Sequence, residues 1–182
     1  MPRIDLPTLD TLTPEQRVVY AQTMAGRRGT VPANVRLWLH RPELASRAQR
    51  LGEWIRYETS LGRRASELAI LVVARHWTAQ YEWAVHEEEA RRAGVPADVV
   101  RAIAERQAPP LEGDDRAVYD LTSALVATGR VPDDVFTAAI ATLGRPAVVE
   151  LVALAGYYTM VAFSLNAFEI PPPAGGAVLG EP

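Results

Sequence analysis

From Ser66 to Gly94 the chain reads SELAILVVARHWTAQYEWAVHEEEARRAG. The stretch fits helix, with Ser66 placed as a cap and Gly94 as the C-terminal stop. Within it Glu82 and His86 stand four residues apart, so on a helix they share one face. Glu67 lies fifteen residues before Glu82, on the same side if the helix is roughly continuous. Two carboxylates and an imidazole brought close make an acid/base constellation, and the whole chain has only 3 histidines.

The rest of the chain reads as helix almost everywhere. Thr13-Pro14-Glu15 is a helix start, threonine as N-cap and proline at the first helical position, and that helix is expected to end at Gly26. Pro32 opens a short helix through Leu39, and Pro42 opens another carrying Leu44, Ala48, Leu51, Trp54 and Ile55 at helical spacing. Thr78 is a second cap candidate, which would split the central stretch into two helices meeting near His76–Thr78. Pro96 to Gln107, Asp114 to Ala127, Pro132 to Leu143 and Pro146 to Phe168 complete eight or nine helices. No alternating strand pattern stands out, so the expected class is all-α. Glu67–Gly94 and Glu150–Phe168 both begin with Glu-Leu and small or aliphatic residues, a hint of an internal helical duplication. The expected organisation is one helical domain over residues 1–170, with residues 1–40 as an N-terminal helical arm. Residues 171–182, PPPAGGAVLGEP, are expected to be an extended or disordered tail.

Composition excludes several function classes. A net charge of −3, with Arg pairs only at Arg27–Arg28, Arg63–Arg64 and Arg91–Arg92, does not supply the basic patch that neutralises nucleic-acid phosphates. The start MPRIDLPTLD lacks the apolar core of a signal peptide. The apolar run Val148–Phe168 is long enough to span a bilayer, but Glu150, Asn166 and Glu169 favour a buried core helix. A cytoplasmic protein without membrane or nucleic-acid partners is the expectation. With 0 cysteines there is no disulfide framework and no thiol redox chemistry.

Each candidate also has a plainer reading. Glu82 and His86 could be an ordinary i, i+4 pair, yet Tyr81, Trp83, Ala84 and Val85 around them suggest a partly buried setting. Glu67 could simply complement the dipole at the start of its helix. No HExxH pattern and no second histidine at ligand spacing is present, so no metal is expected. Arg75, one turn before Ala79, is a candidate clamp for a substrate carboxylate, with a surface ion pair as its alternative. Tyr81 is a second candidate for substrate contact. The run Glu87–Arg92 reads as a solvated face or subunit contact. Trp38, Trp54, Trp77 and Trp83 read as core or interface, and Asn166 as either a cap or a site residue.

The segments ELAILVVAR and AQYEWAVHEEEARRAGV resemble the signature of the carboxymuconolactone decarboxylase family, within the alkylhydroperoxidase D-like superfamily. In the peroxidase branch of that superfamily a glutamate precedes a Cys-x-x-Cys pair, and a histidine follows the second cysteine by four residues. On this sequence the glutamate matches Glu67 and the histidine His86, while the cysteine positions fall on Ala79 and Glu82. Without a thiolate there is no nucleophile to attack a peroxide. The decarboxylase branch carries a glutamate in place of the second cysteine, and Glu82 with His86 resembles that version. A weaker likeness runs from HRPELA near His40 to GYYTMVAFSLNAF near the end. The resemblance implies a helical bundle assembled as a trimer or hexamer, with a dimer as the alternative. It also implies a cofactor-free enzyme for a small carboxylated compound, a lactone or an aromatic-derived acid. His86 would be the proton donor, Glu82 its partner and Glu67 a second acid/base or relay. The rival is a non-catalytic ligand-binding or scaffold protein, in which Glu82 and His86 only fix helix packing.

Overall fold

Thr13 caps the first helix reciprocally. Its side chain accepts from the Gln16 amide, the Gln16 side chain accepts from the Thr13 amide, and Pro14 follows at the first position. This helix, α1, spans Pro14–Ala25. It is followed by α2 (Ala33–Trp38), α3 (Pro42–Tyr57), α4 (Gly62–His76), α5 (Gln80–Arg92), α6 (Ala97–Ala104), α7 (Gly113–Thr128), α8 (Asp133–Leu143) and α9 (Arg145–Ala167). The computed structural model describes residues 2–180, and among them every regular element is a helix. The chain is all-α.

The central helix is α4. Every residue from Ser66 to Arg75 is buried, which is the pattern of a helix apolar all round and surrounded by others. Helices α5, α7 and α9 pack along it, and α3 and α6 touch it. Leu68, Ile70 and Leu71 are wholly enclosed, and truncating any one to Ala would cost about 2–5 kcal/mol. Ser66 is not a cap. The helix begins earlier, at Gly62, whose φ of +72° suits glycine, and Ser66 lies buried inside it.

The break between α4 and α5 falls where expected, but Thr78 does not cap α5; Ala79 holds that position. Thr78 instead ends α4 in the left-handed region at φ +46°. The Ala79 amide donates to Ala74 O at 2.8 Å and the Thr78 amide to Arg75 O at 3.1 Å, a Schellman closure. A β-branched residue is costly there, so the surroundings must hold it. Helix α5 then folds back antiparallel along α4, as Arg64 Nη1 to Gly94 O at 2.8 Å and His86 against Glu67 show.

Helix α9 buries Leu151, Leu154, Ala155, Tyr158, Val161, Ala162 and Leu165. Its opposite face leaves Val149, Val152, Gly156, Met160 and Phe163 exposed, without a charge among them. By length and composition alone the 23-residue helix could cross a membrane: its most apolar 18-residue window has a mean hydropathy of 1.7, and 50% of that window is buried in the bundle. The core-helix expectation therefore describes only one face. In α3 the pattern also splits. Ala48 and Ile55 are buried, whereas Leu44, Leu51 and Trp54 lie on the outside.

From residue 169 to 180 the tail is extended but packed, and residues 181–182 of the expected tail lie outside the described residues. Ile170 and Leu179 are buried, and the Gln80 side chain donates to Leu179 O at 2.9 Å and accepts from its amide at 2.8 Å.

Candidate functional site

The α4–α5 hairpin brings the three sequence-picked residues together. Glu67 comes from the buried start of α4, and Glu82 and His86 from one face of α5. Because the helix breaks at Thr78, the two glutamates do not share one side of a continuous helix; they flank the imidazole from two helices. His86 Nδ1 lies 2.6 Å from Glu67 Oε2, and Nε2 lies 3.3 Å from Glu82 Oε2. All three are nearly sealed: Glu67 is 0% exposed, His86 3% and Glu82 5%. The ring of Tyr158 stands edge-on to the imidazole, centroids 5.2 Å apart.

Charge is nearly balanced in this interior. Arg56 Nη2 reaches Glu67 Oε1 at 3.5 Å and Glu89 Oε2 at 3.2 Å. Arg63 Nη2 reaches the same two oxygens at 3.3 and 2.6 Å. Burial pushes the Glu67 carboxyl upward, but the His86 charge and hydrogen bond, with Arg56 and Arg63 behind them, pull it below the usual carboxylate range. Burial likewise favours neutral His86. The Glu67 charge and hydrogen bond, then Glu82, outweigh it and raise the imidazole above its ordinary value. An ionised carboxylate can only accept, so the short bond places a proton on Nδ1. The result is an imidazolium held between two carboxylates.

A cavity of about 510 Å³ opens onto this group, between α5, α9, the end of α3 and the Arg27–Asn34 segment. Arg28, Arg56, Tyr81, Glu82, His86, Tyr157 and Tyr158 are among its walls. Burial raises Tyr81, Tyr157 and Tyr158 on its walls, Tyr157 to about 12, so each of these phenols stays protonated at neutral pH. Three buried polar atoms on these walls make no aligned hydrogen bond: Arg56 Nε, Tyr158 Oη and Glu82 Oε2, whose contact with His86 Nε2 at 3.3 Å is an ion pair only. Buried polar groups are nearly always satisfied, and leaving one unpaired costs about 1–3 kcal/mol. Donors and acceptors therefore wait on one cavity. Arg28, half-buried on the same wall, makes no ion pair among the described residues.

Tyr81, the second candidate for substrate contact, lines this cavity. Arg75 does not. Eight residues separate it from Glu67, about 12 Å of helix rise, and the bend at Thr78 ends the face that would have led it to His86. Its Nε donates to Ala104 O at 2.8 Å instead. Asn166 holds Trp77 O at 2.8 Å and caps α4, away from the cavity. The run Glu87–Arg92 divides. Glu87 pairs with Arg91 and Glu88 with Arg92 at the surface, whereas Glu89 turns inward to Arg56 and Arg63. Sequence reasoning missed Arg28, Arg56, Arg63, Glu89 and Tyr158. Arg56 offered one signal, a charge on the buried side of α3 next to Ile55.

Backbone comparison with solved structures places the fold. A peroxidase-related protein of uncharacterised function from Silicibacter sp. TM1040 superposes with a TM-score of 0.78 at 16% identity, over 95% of this chain and 92% of its own. A protein of unknown function from Agrobacterium tumefaciens, provisionally assigned to antioxidant defence as AhpD, gives 0.68 at 18% identity, over 75% of this chain and 95% of its own. The fold is alkylhydroperoxidase D-like. No protein-family model matches the chain, and no curated protein resembles it significantly in sequence.

Proposed function

We propose that this alkylhydroperoxidase D-like chain is a cofactor-free acid/base enzyme of the carboxymuconolactone decarboxylase kind, acting on a small carboxylated compound. The observation that carries the reading is the buried Glu67–His86–Glu82 group facing a cavity whose walls hold three polar atoms without an aligned hydrogen bond. The chain has no cysteine, so the thiol chemistry of the superfamily's peroxidase branch has no nucleophile here.

In a decarboxylation of this kind the bond to the carboxylate carbon breaks, carbon dioxide leaves, and its electron pair flows into a conjugated carbonyl of the substrate. The enolate oxygen gains negative charge and the carbon later takes a proton. His86, held protonated between Glu67 and Glu82, supplies that proton from Nε2, and the neutral imidazole then regains a proton from solvent admitted by the cavity. The Tyr158 hydroxyl is an unpaired donor for the developing oxyanion. Arg28 is free to hold an anionic group that stays on the substrate. A carboxylate paired with an arginine would be stabilised in the ground state and slower to leave.

The test is to screen carboxylated lactones and aromatic acids against the wild type and Glu82→Gln, following both binding and carbon dioxide release. Retained binding with turnover lost at least a hundredfold supports the reading. Undiminished turnover in Glu82→Gln sinks the catalytic role, and binding without turnover in the wild type leaves a ligand-binding protein.

We infer further that the chain forms a homo-oligomer through the uncharged outer face of α9. Five exposed apolar or glycine positions at helical spacing on one 23-residue helix support a second copy as the occupant.

A further inference from the structure

A second cluster of polar side chains lies where α4 and α6 end. Both helices close with the same Schellman pattern, and in each the left-handed residue is not glycine: Thr78 at φ +46° and Arg106 at φ +58°. The two closures meet through their side chains. Arg75 Nη1 donates to Thr78 Oγ1 at 3.2 Å, and Arg106 Nη2 donates to the same oxygen at 3.3 Å. Two guanidinium groups thus sit within two hydrogen-bond lengths of each other. Neither has a carboxylate partner among the described residues, and Arg75 is only 7% exposed.

The plain account is that these cations complement the negative ends of two helices. Arg75 Nε does close the last turn of α6 through Ala104 O at 2.8 Å. That account is incomplete in charge. Each helix end carries about half a negative charge, so two arginines leave roughly one positive charge over. It is also incomplete in donors. Arg75 Nη2 and Arg106 Nε and Nη1 have no partner among the described residues.

These groups border a cavity of about 230 Å³ between α4, α6 and α7. Tyr119, Ser123 and Gln107 add neutral polar groups to its wall, and Val72, Ile103 and Val126 an apolar one. We propose that this cavity is a second ligand site, distinct from the Glu67–His86 cavity, that binds the phosphate group of a small phosphorylated compound. Two forks of N–H donors and nearby hydroxyls suit a tetrahedral, doubly charged oxyanion better than a planar carboxylate. The apolar wall has room for a short organic group attached to it. His76, on the same wall, is pushed below its ordinary value by burial and by Arg106, and its neutral ring still carries one N–H that can donate to a phosphate oxygen.

The test is calorimetric titration of the full chain with inorganic phosphate and with ethyl phosphate, at ionic strength held constant with chloride. Both probes should saturate, and ethyl phosphate should bind more tightly. Arg106→Ala, at an exposed position, should weaken both at least tenfold, while Arg17→Gln, exposed on α1 and remote from both cavities, leaves them unchanged. Arg75→Gln serves as a second variant. Saturation that survives Arg106→Ala, or is lost in Arg17→Gln, overturns the proposal, as does the absence of saturation by either probe. Equal binding of the two probes supports the site and assigns it to the free anion.

Discussion

Glu67→Gln removes one charge from a carboxylate that is fully enclosed and touches three cationic groups. The shape is conserved, so packing contributes little to the change. The remaining imidazolium and guanidinium groups lose their central counter-charge in an interior where water cannot replace it. Removing one partner of a buried ion pair costs about 3–5 kcal/mol. For a chain of 182 residues, that lowers Tm by about 6–20 °C. The pH dependence follows from both partners. Glu67 has a folded value below its ordinary 4.5, so its contribution is present above that pH and is lost as pH falls through the lowered value. His86 has a folded value above its ordinary 6.5, so its contribution is complete below that pH and is lost as pH rises through the raised value. The gap between wild type and variant should therefore be widest between about pH 4.5 and 6.5 and narrow on both sides. Thermal melts of both proteins across pH 4 to 9, by far-ultraviolet circular dichroism and calorimetry, measure it. Glu88→Gln, which breaks an exposed pair with Arg92, is the control and should fall within about 0.5 kcal/mol of wild type. A Glu67→Gln loss below about 1 kcal/mol, or one constant across the pH range, refutes the account of a charge-coupled buried pair.

Three further outcomes are expected. Tyr158→Phe deletes a buried hydroxyl without a partner, so stability should hold or rise by about 1 kcal/mol while turnover of an identified substrate falls; a loss of stability would show the hydroxyl to be satisfied. Gly52→Ala drives a Cβ into the Tyr157 phenol, and the overpacking should cost about 1–3 kcal/mol despite the better helix propensity of alanine, read by denaturant unfolding. Phe163→Glu puts a charge on the bare face of α9 and should reduce the mass measured by light scattering to that of one 19.9 kDa chain, with helicity unchanged.

Local chemistry made much of this molecule legible. The Thr13–Gln16 capping box and the prolines at positions 14, 42 and 146 announce their helices directly, and Glu82 and His86 needed only the helical repeat to be paired. Ser66 misled because serine is favoured at caps, yet the chain starts α4 earlier at a glycine and buries the serine against its neighbours. Arg75 misled for a related reason. Extending a helix face through Thr78 assumed continuity that the left-handed turn abolishes. Arg56, Glu89 and Tyr158 reach the site from three separate helices, and nothing in their own segments encodes that meeting. The helical spacing of Leu44, Ala48, Leu51, Trp54 and Ile55 announces α3 but does not say that Leu44, Leu51 and Trp54 face outward, because periodicity shows that a stripe exists and not which side is covered.

The acid/base group and the chamber around it have different histories within one chain. Glu67 and His86 are nineteen residues apart, joined by a short turn, so their meeting closes only a small loop. Tyr157 and Tyr158 arrive with the last helix. During synthesis the hairpin emerges well before its wall does, and local contacts form fastest. A nascent or truncated chain that ends before α9 would thus present the imidazole and its carboxylates to water, paired but unshielded. Sequestration, rather than proximity, is the step that waits for α9 to emerge.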